Sequence, residues 1–102
     1  MSKQLKVNDC VIVVNDGKRY TGYQSMVKAM GLTRFKSSNC WADYTSRLGR
    51  IVSLKKHSDK PSILLCGVDI GDEDIIMGIS GLKRFPRIKY ELLKKESNVK
   101  HI

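Results

Sequence analysis

Ile63-Leu-Leu-Cys-Gly-Val-Asp-Ile-Gly-Asp-Glu-Asp-Ile-Ile-Met-Gly-Ile79 is the stretch on which the fold turns. Ile63–Ile70 is the longest strand candidate, Gly71-Asp72 or Asp72-Glu73 supplies a turn, and Asp74–Ile79 returns, so residues 63–79 read as a β-hairpin. Working upstream, Val11-Ile-Val-Val14 is a β-branched run between Asn8-Asp9 and Asn15-Asp16-Gly17, which predicts a strand ended by a tight turn. Lys18–Gly22 fits a brief extended piece. Gly49-Arg-Ile-Val-Ser-Leu54 predicts another strand, with Ile51 and Ser53 on one face and Val52 and Leu54 on the other. Downstream, Gly81-Leu82 turns the chain, Lys83-Arg84-Phe85 fits a closing fifth strand, and Pro86 breaks the pattern.

One segment has a different period. Tyr23, Val27 and Met30 fall at i, i+4 and i+7 with Met26 alongside, which predicts a short helix capped by Gly31 and started near Thr21 or Ser25. Leu32, Phe35 and Trp41 follow in a polar stretch to Ser46, read as a long loop pinned by aromatics. The expected fold is therefore mainly β with a small α insertion: one five-stranded barrel over residues 1–86, with a helical and loop insertion at 22–46. Closing the sheet would remove exposed edges. Residues 87–102 form a basic tail, either an amphipathic helix over Ile88–Glu96 or disordered.

With 102 residues the chain has room for one small core. No apolar run approaches the ~18–20 residues of a membrane span. The opening Met-Ser-Lys-Gln-Leu-Lys has no apolar signal region, and three widely spaced cysteines fit free thiols, so a cytoplasmic location is expected. The strongest compositional signal is charge: 19 Lys+Arg against 10 Asp+Glu, a net +9. Such an excess attracts polyanions. Lys55-Lys56-His57 with Lys60 forms one cluster, Lys18-Arg19 belongs to a second, and Lys83, Arg84, Arg87 and Lys89 open a third. Asp69 and Asp72-Glu73-Asp74 make one acidic island.

The run Val7-Asn-Asp-Cys-Val-Ile-Val-Val14 followed by Gly49-Arg-Ile-Val-Ser-Leu54 resembles the opening of KOW-type and related Src-homology-3-like barrels. Gly17-Lys-Arg-Tyr20, then Tyr23 through Leu32 and Phe35, and the hairpin running to Leu82, are similar to small barrel proteins of tailed bacteriophages. Asn8 stands where the pattern has Gly, and the insertion is longer than in a minimal KOW motif. The resemblance implies a five-stranded barrel with a helix inserted after the first strand. It implies partners among RNA, DNA, ribosomes, RNA polymerase or peptides.

Enzyme chemistry finds little support. There is no Gly-rich phosphate loop, no nucleophile elbow around Ser80 and no Cys-x-x-Cys, and neither His57 nor His101 has metal-ligand spacing. The acids at 72–74 fit turn solvation and lack the twelve-residue calcium-loop pattern. The expectation is a protein without catalytic residues, metal or cofactor. It binds nucleic acid through the phosphate backbone, with Lys18, Arg19, Lys55, Lys56, Lys83, Arg84, Arg87 and Lys89 as the contacts. Tyr20, Trp41 and Tyr44 are candidates to stack on bases or touch a partner, although for Trp41 packing beneath the loop is the favoured reading. The alternative is a small inhibitor that docks on a host protein through the aromatic-bearing insertion.

Overall fold

The computed structural model describes residues 4–20, 25–36, 43–57 and 59–93, with residues 24 and 94–100 described by their backbone alone. Tyr23, Trp41 and the suggested cap Thr21 lie outside that set. The elements are β1 (Cys10–Val13), β2 (Arg19–Tyr20), α1 (Gln24–Ala29), β3 (Leu48–Lys56), β4 (Leu64–Asp69), β5 (Asp74–Gly78), β6 (Leu82–Arg84) and α2 (Arg87–Lys100), with 3-10 turns at Asp16–Lys18 and Ile79–Gly81. The chain is mainly β, as read from sequence. Six strands, not five, form one antiparallel sheet in the order β2-β5-β4-β3-β1-β6. The additional strand is β2, two residues that pair Arg19 with Met77 and Tyr20 with Ile76.

The sheet curls into a half-barrel but keeps two edges, β2 and β6, so the expected closure is corrected. Its edges are short, at two and three residues, and β6 carries exposed Lys83 and Arg84. Charge and brevity deny another chain a template, which is the protection that closure would have given.

Both faces of the central strands are covered. On the concave face Val11, Val13, Tyr44, Ile51, Cys66, Val68, Ile75, Met77 and Leu82 form one core. On the convex face Met26 and Met30 of α1, with Leu32, pack on Leu65 and Ile76. The residues of β5 are consequently all buried, and each large aliphatic side chain there contributes roughly 1.5–3 kcal/mol. Gly31, at φ 69°, ends α1 as its position predicted. Asn8, where the resembled pattern has Gly, adopts φ 79° and lets the chain turn into β1.

The face assignment in β3 needs correction. A bulge lies between Ile51 and Ser53, so Ile51 pairs with Val68 while Leu54 pairs with Cys66. Ile51 and Leu54 therefore share the concave core, and Val52 joins the convex one. One extra residue inverts the alternation beyond it. Gly49 marks where β3 crosses closely: a Cβ there would lie 2.6 Å from Val68 Cγ1 and 2.8 Å from the Asp69 carbonyl oxygen. After Pro86 the chain is helical, and Tyr90 is buried, so the first turns of α2 are rooted on the body.

Candidate nucleic-acid interface

Lys55 and Lys56 end β3, and both are exposed. The register then leads across the sheet, with Lys55 opposite Leu65 and Leu65 opposite Gly78. Lys18 reaches the same end: its Cβ lies 3.9 Å from the Cβ position of Gly78 and 2.8 Å from that of Gly81. Lys83 is not brought to that end by the register: it pairs with Ile12, which pairs with Leu48 at the start of β3. In the loop after β3, the amides of Asp59 and Lys60 donate to His57 Nδ1 at 3.0 and 3.2 Å, and Ile63 N donates to the Lys60 carbonyl at 2.8 Å. Those bonds hold Lys60 beside the lysine pair. The ring of Tyr20 lies 5.7 Å from that of His57.

Lys18, Lys55, Lys56, Lys60, Lys83 and Lys89 are exposed and make no ion pair with a described residue. The ion pairs among described residues belong to arginines. Arg19 is one of them, and its place among the phosphate contacts is corrected. Its Nε lies 2.8 Å from Asp16 Oδ1, its guanidinium lies 4.5 Å from the Tyr44 ring centroid, and its side chain is 7% exposed. Arg84 is shared: it is exposed, but its guanidinium lies 3.3 Å from Asp9. Arg87 and Lys89 are exposed on α2. Arg50, exposed opposite Cys10 and without an ion pair among the described residues, is a basic group that the strand pattern did not single out.

The aromatic candidates are also corrected. Tyr44 is 5% exposed, donates its hydroxyl to Glu73 Oε1, and has the guanidinium of Arg47 5.5 Å from its ring in addition to that of Arg19. Its ring is occupied and unavailable to a base. Tyr20 is half-buried against the convex core. Phe35, read from the sequence as one of the aromatics that pin the long loop, packs on the same core and bridges to Asp74.

The acidic island is the anchor of the insertion. Arg34 places Nη2 2.6 Å from Asp69 and 3.3 Å from Asp74, donates from Nη1 to the Gly71 carbonyl at 2.7 Å, and donates its backbone N–H to Asp74 at 3.1 Å. Arg47 donates to Asp72 at 2.9 Å. Burial pushes the Asp69 carboxyl up, but the Gly71 amide and the Arg34 guanidinium outweigh it and hold the group below the usual carboxylate value. Lys56 pairs with Leu64 at one end of β4 and Asp69 lies at the other, on the order of 17 Å along the strand. The lysine end is thus removed from the main negative charge.

Among the described residues no group of three or more His, Cys, Asp or Glu side chains is placed to hold a metal. Burial pushes the Cys66 thiol up to about 12 and raises that of Cys10, which suits packing and not thiolate chemistry. No helix among the described residues is long and apolar enough to cross a membrane. Neither protein-family models, nor curated proteins, nor solved structures gave a match to the chain.

Proposed function

We propose that this chain is a non-enzymatic nucleic-acid-binding protein on a Src-homology-3-like half-barrel, gripping the phosphate backbone of DNA or RNA. The observation that carries the reading is the division of its cations. Arginines hold the fold's carboxylates, while Lys18, Lys55, Lys56 and Lys60 stand exposed around neighbouring strand ends. A polyanion is the ligand such a surface attracts, because each neutralised phosphate releases condensed counterions. Arg87 and Lys89 extend the basic surface. The half-buried Tyr20 and occupied Tyr44 argue for backbone contact over base stacking. The barrel reading is supported by the succession β6-β1-β3-β4-β5, in which first and last strands pair and β2 is an addition.

The test is fluorescence anisotropy with labelled duplex DNA, single-stranded DNA and RNA across a salt series. The expected result is micromolar or tighter binding to at least one, weakening with salt. The triple variant K18E/K55E/K56E, changed only at exposed side chains, should bind at least tenfold more weakly with a shallower slope. Absence of binding at low salt, or an unchanged triple variant, overturns the reading.

A further inference from the structure

The first turns of α2 leave large aliphatic side chains in solvent: Ile88 is 78% exposed, Leu92 55% and Leu93 44%. Ile88 and Leu92 are spaced i, i+4, so they lie on one face of the helix. Together with Arg87 and Glu91 they line an open, almost wholly apolar hollow of about 380 Å³. The start of the helix is attached to the sheet. Tyr90 is 7% exposed and roots the helix, and the Phe85 amide ties its approach to the Cys10 carbonyl at 2.8 Å. Arg87 and Lys89 are exposed on the same turns as the apolar side chains, against Glu91 alone among exposed acids of this helix's described side chains.

We infer that this face of α2 docks an acidic amphipathic helix of a partner protein. A rooted helix with aliphatic groups at i and i+4 takes another helix's apolar stripe, and a hollow accepts a protruding side chain. The cationic surround supplies the second requirement, because a chain of net +9 steers toward anionic partners. The same charge opposes a second copy of this protein. Phosphate backbone offers nothing to Ile88 and Leu92, so this surface is distinct in chemistry from the lysine surface. A flat anionic bilayer would leave the hollow unfilled.

The test uses the full chain and a fluorescein-labelled synthetic helix carrying Leu at i, i+3, i+4 and i+7 with Glu on its remaining positions. Controls are its Leu→Ser and Glu→Lys counterparts and phosphatidylglycerol vesicles. The expected result is micromolar binding of the acidic helix alone. I88S/L92S should weaken it at least tenfold, with an unchanged circular dichroism spectrum and unchanged anisotropy of bound nucleic acid. Arg87→Glu should weaken the acidic helix by several-fold. Failure of the acidic helix to bind, equal binding by I88S/L92S, or binding of vesicles without the peptide each overturns the inference. Arg87 belongs to both surfaces, so the two proposals are separated by K18E/K55E/K56E and I88S/L92S, each of which changes one surface alone.

Discussion

Tyr44 carries the insertion's end into the core, where its ring meets two guanidinium groups and its hydroxyl meets a carboxylate. Tyr44→Phe keeps the ring beneath Arg19 and Arg47 and removes one hydrogen bond to the buried Glu73 carboxyl. It should cost about 1–3 kcal/mol in urea denaturation. Gly81→Ala tests a different constraint. The added methyl would lie 2.8 Å from the Asn15 carbonyl oxygen and 2.8 Å from Met77 Cε, and the expected loss is about 1–3 kcal/mol by the same measurement. Ser46, at φ 75°, has the opposite sign: Ser46→Gly should raise stability by about 0.5–1 kcal/mol. At this scale the sequence was legible where a residue's own chemistry decides its place. Gly31 and the aliphatic residues of the hairpin are cases. It was illegible for Tyr44 and Arg19, whose exposure depends on partners far along the chain.

The elements separate along the same line. The 63–79 hairpin was readable because both of its strands and its turn are local. β2 was legible only as a brief extended piece at Lys18–Gly22, because two residues carry no periodicity and become a sheet strand only when β5 offers an edge. The β3 bulge was hidden because an inserted residue has no signature of its own. The tie between the insertion and the β4–β5 turn depends on Arg34 and Asp69, whose approach no local pattern encodes. That tie carries a pH prediction. The Asp69 carboxyl is held below its ordinary value in the fold, so its contribution is fully present above the unfolded value of about 4 and is lost as pH falls through the folded value. Thermal midpoints should drop on acidification below about pH 4. Arg34→Met should lower the midpoint at neutral pH and flatten its acid dependence.

For the whole molecule, the charge excess was legible in composition and its arrangement was not. A count of 19 Lys+Arg does not tell which cations are consumed internally. The fold assigns that task to arginines, whose planar forks suit partly buried carboxylates, and leaves lysines to water. A consequence for salt follows. The exposed lysines repel one another, and their mutual repulsion is screened more readily than the partly buried Arg34 and Arg19 pairs. Raising NaCl from 0.05 to 0.3 M, roughly halving the Debye length or more, should raise the thermal midpoint while weakening polyanion binding. A midpoint that fell in step with affinity would place the fold's stability in its ion pairs instead. The covering of β5 on both faces has its own consequence for anyone wishing to shorten the chain. Replacing the segment between β2 and β3 with a tight turn would not yield a pared-down barrel, because Leu65 and Ile76 would be stripped of Met26, Met30 and Leu32. The segment that looks like an optional graft is half of the wall, and a trimmed protein would be sticky before it was small.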